Sequence, residues 1–524
     1  MRAKNMKGTA EQVRPVRTAS LGFLMATTLM TGAGVIMLEV LGARIAGPIF
    51  GVSLYIWTAL ITVTLVSLSL GYWLGGRAAD RWPSADVLYA LIAAAGLMIA
   101  VIPLMDGPVL VGCYQAFGGD WAVRLGVLTG AFILFGPPLT ILGMVSPYVL
   151  RLALADLRQT GRTAGTLYAI STVGSVIGTI AAGFFLIPEA GVKATFWAST
   201  AVILIPAAVW FAMGRRLGWL GAGALILGIL GLLDVATARP LRASLGRLQV
   251  NREGLYAQIK VLDRGFGADT QRMLLLDGTV QTAVRLGSNE LQSEYTQVIE
   301  KFLAQHPPRG RRALIVGLGG GALVAPLKSR GFQIDVVELD PAVVETARDW
   351  FGCDPKGFKL IQQDGRAYIR SCREKYDAVV LDVFTGGSQP FHLFSREAFE
   401  ETKRIVAPGG VVALNTITLR EGPDSIMGAS LFKTASQVFP QRLAFVGDPT
   451  ESPLALNNIL MFFASEPFSN GSDEYLAKRQ FQYAAGAGIV VTDDLNPVDR
   501  WCAHVNEIWR QGIFASLGGE ILSQ

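Results

Sequence analysis

One segment in the C-terminal half of the sequence carries a single acid at the end of an apolar run. It reads YDAVVLDVFTGGSQPFHLFS, from Tyr376 to Ser395. Its apolar residues are typical of a buried strand, and Asp382 follows where that strand would end, at the mouth of a loop. The loop contains no second acid. Asp382 is therefore the residue of this segment most suited to contact a ligand.

An earlier apolar run, VVELD, ends in two acids. An acid about 20 residues after a glycine-rich turn is placed to accept hydrogen bonds from both ribose hydroxyls of a nucleoside. We assign this role to Glu338. The alternative is that Glu338 or Asp340 only caps the helix that begins at Pro341, and Asp340 in DPAVVE suits such a cap.

The glycine-rich turn before VVELD reads VGLGGGALVAPL. Glycine lets the backbone approach a ligand closely and adopt positive φ angles, so Gly317 and Gly319 are candidate cofactor contacts. A plain tight turn is the alternative, because the spacing does not match GxGxxG.

A further run, QQDGRAYI, places Asp364 and Gly365 beside Gly317, Gly319 and Glu338. Asp364 is suited either to accept a hydrogen bond from an adenine amino group or to cap the helix that follows.

The elements that position these residues alternate between strand-like and helix-like patterns from Ala313 onward. Continuous apolar runs bounded by glycine and aspartate, separated by amphipathic segments, predict a parallel sheet covered on both faces. Ligands of such sheets bind at the carboxyl ends of the strands. Four consecutive strand ends carry Gly, Glu, Asp and Asp, which predicts a nucleoside site at this edge.

The N-terminal half has a different composition. The chain has 524 residues, 51% of them hydrophobic, and a mean hydropathy of +0.40. Before about Asp234 the apolar residues form runs of roughly 20, the length that crosses a bilayer. The predicted spans are 21–43, 54–76, 87–105, 127–150, 167–188, 195–213 and 217–233. A break at Gly136 to Pro138 would change this count, and the first span lacks an evident cleavage site.

Charges near the spans predict their orientation, with one conflict. Arginine and lysine residues precede the first span and follow the second, fourth and sixth, which places those segments in the cytoplasm. Seven spans would then place the C-terminal half outside. We nevertheless favour a cytoplasmic C-terminal half in an inner membrane, because of the cofactor discussed below. Glu39 and Arg44 lie at or near the inner part of the first span, where charges require a partner, which could be each other, or a polar cavity.

The composition excludes some classes of site. The four cysteines show no CxxC pairing, and the chain has only three histidines, so neither a disulfide framework nor a metal site is expected. The net charge of +5 is largely explained by the residues flanking the spans. No nucleic-acid partner is expected.

The combined motifs resemble the spermidine synthases, or polyamine aminopropyltransferases. They are LLLDGTVQTA, the glycine loop, VVELD, QQDGRAYI and the segment around Asp382, and the resemblance runs from roughly Leu255 to the end. The helical half looks like the membrane-fused bacterial branch of that family. The resemblance implies a multi-pass α-helical membrane domain followed by a small β subdomain and a Rossmann-like, class I methyltransferase-like α/β domain. The implied parts are 1–19, a cytoplasmic segment; 20–238, transmembrane; 239–310, linker and β subdomain; and 311–524, aminopropyltransferase domain.

The resemblance also implies roles for individual residues. The donor would be decarboxylated S-adenosylmethionine, used as a co-substrate rather than a tightly bound cofactor, and the acceptor a small amine. Gln281 would lie on the methylthioadenosine side, with Glu338 on the ribose and Asp364 on the adenine. Asp382 would be the base, because an amine of pKa about 10 must lose a proton before it can attack.

Several acids usual in the family are missing. Gly320 stands where the glycine loop usually carries an aspartate for the donor's ammonium group, and Val383, Phe384 and Thr385 stand where a second acid for the acceptor is usual. The candidate replacements on the substrate side are Glu290, Glu294, Tyr295, Asp493 and Asp494. The DDLNP segment that holds the last two is otherwise a turn, and His392 is either a proton relay or a loop residue.

Three functions stay open at this point. The first is membrane-bound aminopropyl transfer to an amine such as putrescine, with the lipid bilayer and a second copy of the chain as candidate partners. The second is a methyltransferase that uses intact S-adenosylmethionine on a membrane-borne substrate. The third is a transporter or sensor whose C-terminal half only binds a nucleoside or polyamine, for which a cavity lined by Glu39 would argue.

Overall fold

The computed structural model describes residues 19–51, 54–117, 121–154, 160–214, 217–237, 246–265, 267–287, 294–384, 389–469, 473–484 and 486–517. Its first half is helical. The helices are α1 Leu21–Phe50, α2 Leu54–Arg81, α3 Ala85–Ala116, α4 Trp121–Ala153, α5 Thr160–Ile180, α6 Ile187–Met213 and α7 Leu217–Thr237.

Five described helical runs are long and apolar enough to cross a membrane: Leu21–Phe50, Tyr55–Arg81, Ala85–Ala116, Arg124–Ala153 and Thr160–Met213. The first four match predicted spans, and α4 is continuous through Pro137 and Pro138, so no break divides it there. The fifth run contains both the fifth and the sixth predicted spans. Its 54 residues include a non-helical backbone break at Gly191, where φ is 84°. The seventh span corresponds to α7, with a shorter apolar stretch at Ala222–Gly231.

Glycines allow α1 and α5 to pack closely. A Cβ at Gly174 would lie 2.0 Å from the Leu29 carbonyl oxygen, and one at Gly178 would lie 2.5 Å from that of Ala33. Side chains larger than hydrogen would therefore push the two helices apart. The small-residue spacing of STVGSVIGTIAAGF is thus explained as helix packing.

The second half begins with a small antiparallel sheet in the order β1-β2-β3-β4 and continues with an eight-stranded sheet. The small sheet comprises β1 Arg247–Glu253, β2 Gln258–Arg264, β3 Gln271–Leu276 and β4 Thr279–Arg285. The elements of the large domain are α8 Glu294–Gln305, β5 Arg312–Val316, α9 Val324–Ser329, β6 Gln333–Glu338, α10 Pro341–Phe351, β7 Lys359–Gln362, α11 Gly365–Ser371, β8 Tyr376–Leu381, α12 Arg396–Ile405, β9 Val406–Thr418, α13 Ile426–Ser436, β10 Gln441–Val446, β11 Asn457–Ala464, α14 Glu474–Ala477, β12 Gln480–Phe481 and α15 Val498–Leu517.

The large sheet has the strand order β12-β10-β11-β9-β8-β5-β6-β7. The five strands from β9 to β7 are parallel, as the apolar runs predict, and they place β5, β6, β7 and β8 side by side. The prediction of a wholly parallel sheet is wrong at the other edge, where β10, β11 and β12 pair in antiparallel fashion. Apolar clusters cover both faces, one including Phe399 and the other Phe302.

One apolar core joins the helical half to the small sheet. Leu262, Met273 and Leu275 of the small sheet belong to the same buried cluster as Ile49 and Phe50 at the end of α1. Burying these side chains together removes apolar surface of both halves from water, which favours a fixed attachment.

Candidate active site

Asp382 follows β8 and is held between two hydrogen-bond donors. The Tyr295 hydroxyl donates to its Oδ2 at 2.9 Å, and the Asn415 amide donates to its Oδ1 at 2.8 Å. The register of the sheet explains the second contact. Leu381 of β8 pairs with Leu414 of β9, so the next residue of each strand lies beside the other. Both carboxylate oxygens are thereby fixed in direction.

Asn415 is a residue that sequence reasoning missed. Its Oδ1 accepts a hydrogen bond from Asn458 Nδ2 at 3.0 Å, which turns its NH₂ group toward Asp382. Gln389 donates to the Asn415 carbonyl oxygen at 3.0 Å and accepts from the Thr416 hydroxyl at 2.8 Å. An asparagine inside the apolar run VVALNTITL was the available signal, because a buried amide needs partners.

The surroundings of Asp382 change its proton affinity. Burial raises the pKa of Asp382 above the ordinary aspartate value, and the hydrogen bonds from Asn415 and Tyr295 oppose this rise. Burial and the adjacent carboxylate raise the pKa of the Tyr295 hydroxyl well above its usual range, so this hydroxyl stays a donor. The arrangement suits a carboxylate that accepts a proton from a bound group.

Glu338 ends β6 and ties the glycine loop to this strand. Its Oε2 accepts from the Leu318 N–H at 2.9 Å, while its Oε1 accepts from the N–H groups of Leu339 at 2.8 Å and Asp340 at 3.0 Å. Burial raises the pKa of Glu338, and these backbone donors oppose the rise. Asp340 caps α10 by accepting from the Ala342 N–H at 2.9 Å, as predicted.

Asp364 makes the capping contact and a second contact as well. Its Oδ1 accepts from the Ala367 N–H at 2.9 Å, which caps α11. Its Oδ2 lies 3.0 Å from His392 Nε2, so His392 contacts the residue that we predict to bind adenine. Gly365 follows, and a Cβ there would lie 2.6 Å from Val316 Cγ1, which leaves no room for a side chain.

The glycine loop is positioned by β8 and β4. Gly317 and Gly319 have φ angles of 94° and 52°, and a Cβ at Gly317 would lie 2.1 Å from the Asp382 carbonyl oxygen. The Gly320 N–H donates to the Thr282 hydroxyl at 3.0 Å, and a Cβ at Gly320 would lie 2.8 Å from the Thr282 methyl carbon. Gln281 precedes that threonine on β4 and donates to the Thr279 carbonyl oxygen at 3.4 Å.

Comparison with known proteins places this sheet edge in a family. Residues 292–450 match the family model described as the spermine/spermidine synthase domain. The C-terminal half contains a spermine/spermidine synthase domain. The match spans the segments that hold Tyr295, the glycine loop, Glu338, Asp364 and Asp382, so the predicted family resemblance is confirmed for this region.

Similar proteins include both aminopropyl and methyl transferases. A polyamine aminopropyltransferase of Vibrio vulnificus is 36% identical over 117 residues, which are 21% of this chain and 39% of that protein. An N-terminal histidine N-methyltransferase of Emericella nidulans is 34% identical over 137 residues, or 25% of this chain and 24% of that protein. The chain thus spans less than half the length of these curated relatives.

Among solved structures, a probable spermidine synthase from Corynebacterium glutamicum is similar. It has 23% sequence identity and a TM-score of 0.38, and the similarity covers 44% of this chain and 85% of that one.

Two of the predicted substrate residues, Glu294 and Asp493, have partners within the protein. Glu294 stands at the start of α8 beside Tyr295, and its Oε2 accepts from Arg479 Nη2 at 2.8 Å. Asp493 accepts two hydrogen bonds of 2.7 Å from Arg366, which belongs to α11 and also donates to Glu401 and to the His392 carbonyl oxygen.

The segment around Asp493 therefore packs on α11 and on the loop of the synthase domain that holds His392. Asn496 donates to the Phe391 carbonyl oxygen at 2.8 Å, and the Thr492 N–H donates to the Leu495 carbonyl oxygen at 3.0 Å. Asp494 is exposed. The predicted substitute Glu290 lies outside the described residues, as does Thr385, one of the residues that stand where the family usually has a second acid.

The Arg366–Asp493 pair yields a prediction about pH and stability. Arg366 lowers the pKa of Asp493 to about 2, so the pair stabilises the fold above the ordinary aspartate pKa and loses this contribution as pH falls toward 2. We expect Asp493→Asn to lower the melting temperature at pH 7, with the difference from wild type shrinking below pH 4. Thermal unfolding of both proteins between pH 2.5 and 7 measures this. A difference that does not change with pH would contradict it.

Proposed function

We propose that the protein is a membrane-embedded aminopropyltransferase. It transfers the aminopropyl group of decarboxylated S-adenosylmethionine to an amine such as putrescine and releases methylthioadenosine. The observation that carries the proposal is the Asp382 carboxylate, held by Tyr295 and Asn415 at the same sheet edge as Glu338 and the glycine loop, inside a spermine/spermidine synthase domain.

The step needs a lone pair on the acceptor nitrogen. An amine of pKa about 10 is almost fully protonated at neutral pH, so a carboxylate must bind the ammonium and take its proton. The nitrogen then forms a bond to the methylene carbon next to the sulfonium, and the carbon–sulfur bond breaks. Sulfur keeps the electron pair and becomes the neutral thioether of methylthioadenosine, while the proton resides on Asp382. Fixing the carboxylate through Tyr295 and Asn415 aligns the base with the reacting nitrogen.

The remaining predicted residues bind the donor in this proposal. Each carboxylate oxygen can accept more than one hydrogen bond. Glu338 can therefore accept hydrogen bonds from the ribose hydroxyls in addition to those from the backbone. Asp364 accepts from the adenine amino group and is oriented by His392. Gly317, Gly319 and Gly365 supply backbone contacts to the nucleoside, and Gln281, which donates to the Thr279 carbonyl oxygen in this structure, lies on the methylthioadenosine side.

A second candidate is methyl transfer from intact S-adenosylmethionine. Gly320 supports it, because the loop offers no acid for an aminopropyl ammonium group there and Thr282 fills the space beside it. The partial similarity to a histidine N-methyltransferase points the same way. In this case Asp382 would deprotonate a methyl acceptor instead.

Membrane placement is also part of the proposal. The apolar runs of the helical half provide spans of sufficient length. The proposed division keeps 20–238 as the transmembrane domain, 239–310 as linker and β subdomain, and 311–524 as the transferase domain.

Calorimetric titration of the full chain in detergent tests the proposal. Methylthioadenosine, decarboxylated S-adenosylmethionine and the intact donor are titrated separately into the wild type. Tight binding of the first two, with methylthioadenosine released from an added amine and detected by mass spectrometry, is the expected result. Preference for the intact donor, with S-adenosylhomocysteine as product, would favour methyl transfer instead.

A further inference from the structure

The helical bundle has two distinguishable ends. At one end, Asp80 at the end of α2 pairs with Arg151 near the end of α4 at 3.3 Å. At the same end, Asp86 at the start of α3 accepts a hydrogen bond from Trp210 Nε1, near the end of α6, at 2.8 Å. The ring of Trp210 also stacks near Phe23 at the start of α1, with centroids 6.3 Å apart. We call this the arginine-rich end.

Positive charges gather at the arginine-rich end. Among the described residues, Arg77, Arg81, Arg151 and Arg162 stand at or near these helix ends. The sequence adds Arg14, Arg17, Arg158, Arg215 and Arg216 in the segments that precede or follow the same helices. Fewer basic residues stand in the sequence at or next to the opposite helix ends: Arg44, Arg124 and Lys193, and after α7 Arg239, Arg242 and Arg247, together with the acids Asp120 and Glu189. Short loops rich in lysine and arginine stay in the cytoplasm, so the arginine-rich end is the cytoplasmic one.

The half of the chain from β1 to α15, called the synthase half below, is attached at the opposite end. Arg510 of α15 is buried and donates both to the Pro48 carbonyl oxygen near the end of α1 and to the Asp277 carbonyl oxygen of the β3–β4 turn. Arg44 donates to the Leu255 carbonyl oxygen at 2.8 Å. Phe50 packs on Tyr114 near the end of α3, with ring centroids 5.7 Å apart.

The length of α1 separates these two ends across a bilayer. Its 30 residues rise about 45 Å at 1.5 Å each, more than the roughly 30 Å hydrocarbon core. Phe23 and Pro48 therefore lie toward opposite membrane surfaces if α1 spans. The path of the chain agrees, because α7 begins after Arg215 and Arg216 and leads to β1 of the synthase half.

We propose that the synthase half faces away from the cytoplasm. The inference rests on the membrane placement proposed above and reverses the cytoplasmic assignment favoured from the sequence. It agrees with the basic loops and the seven predicted spans, which together also place the C-terminal half outside. The donor and the acceptor must then reach Asp382 from the extracytoplasmic side.

Accessibility of single added cysteines tests this orientation in the full chain. Lys356→Cys adds an exposed thiol on the synthase half, away from the site, and Gly161→Cys adds one at the start of α5, where a Cβ meets no atom within 4 Å. Both are expressed in a bacterium and compared with the parent chain, which carries the four native cysteines. A membrane-impermeant maleimide is applied to intact spheroplasts and, separately, to permeabilised ones.

We expect labelling of Lys356→Cys in intact spheroplasts and labelling of Gly161→Cys only after permeabilisation. The reversed pattern would overturn the orientation and leave the enzymatic proposal untouched. Carbonate washing of the membrane pellet distinguishes a further case, because a chain released by the wash would overturn the membrane placement itself together with the orientation. Nucleoside binding measured in detergent does not depend on either outcome.

Discussion

Replacement of Asp382 by asparagine is expected to lower aminopropyl transfer by about 10²- to 10⁴-fold, the usual contribution of a positioned general base. Asparagine keeps the size of the side chain and can still interact with Tyr295 and Asn415. It cannot take the proton of an ammonium group. The measurement is the rate of methylthioadenosine release at saturating donor and acceptor, for the full chain in detergent.

The stability of the folded protein should rise or stay unchanged when Asp382 is replaced by asparagine. Burial raises the folded-state pKa of Asp382, so the ionised carboxylate costs folding free energy once pH exceeds the unfolded-state pKa. Asp382→Asn removes that cost at neutral pH. We therefore expect a melting temperature equal to or above that of the wild type, which separates loss of chemistry from loss of fold.

A second buried acid of the same sheet provides the matched control. Asp335 in β6 is 2% exposed and accepts from the Tyr376 hydroxyl at 2.8 Å, and it pairs with Arg312 at 3.5 Å. Asp335→Asn should lower the melting temperature while the folded protein keeps its turnover. If Asp382→Asn retained more than a tenth of the wild-type rate, the role of Asp382 as base would be wrong.

The pH profile of turnover gives a related expectation. A base works only when deprotonated, so turnover should fall on acidification as Asp382 gains a proton, at a pH above the ordinary aspartate pKa because burial raises it. The residual activity of Asp382→Asn should lack this acidic limb. An identical limb in both proteins would assign the titration to another group.

The strand ends were predictable because buried parallel strands leave a strong signal in the sequence. Continuous apolar runs that stop at Gly317, Glu338, Asp364 and Asp382 correspond to β5, β6, β7 and β8, and the sheet brings these ends to one edge. Pairing between strands distant in the chain leaves no such signal. Asn415 became visible only when the register of β8 and β9 placed it beside Asp382.

Short acids at helix starts show why several roles stayed open. The sequence pattern that predicts a ligand contact at Asp364 also predicts an N-cap, and the structure shows the cap together with the His392 contact. The partners of Asp493 were likewise hidden, since Arg366 lies 127 residues earlier in the chain. The orientation proposed above rests on the attachment at Arg510, whose contacts with Pro48 and Asp277 join residues far apart in the chain and leave no signal in the sequence.

Replacement of Glu338 by glutamine is expected to weaken nucleoside binding by about 10- to 100-fold. Hydrogen bonds to a charged group contribute about 1.5–3 kcal/mol each, and 1.4 kcal/mol corresponds to a tenfold change in affinity. Glutamine replaces one carboxylate oxygen by an NH₂ group, which cannot accept a hydrogen bond. The variant therefore loses either the bond from the Leu318 N–H or the bonds from the N–H groups of Leu339 and Asp340. Titration of the full chain with methylthioadenosine measures the loss. The control is Asp340→Asn, which alters the α10 cap and the contact with the Tyr256 N–H but leaves the Glu338 carboxylate unchanged.

Two mechanisms for that loss can be separated with a second ligand. If Glu338 binds the ribose, methylthioadenosine lacking its 2′-hydroxyl should bind the wild type more weakly, and the additional effect of Glu338→Gln should be smaller for this ligand. If Glu338 only orders the glycine loop through Leu318, the variant should weaken both ligands by the same factor. Equal factors would therefore overturn the ribose role, because the loss of a hydrogen bond to the 2′-hydroxyl cannot weaken the binding of a ligand that lacks this hydroxyl. Glu338 would then remain the residue that orders the glycine loop.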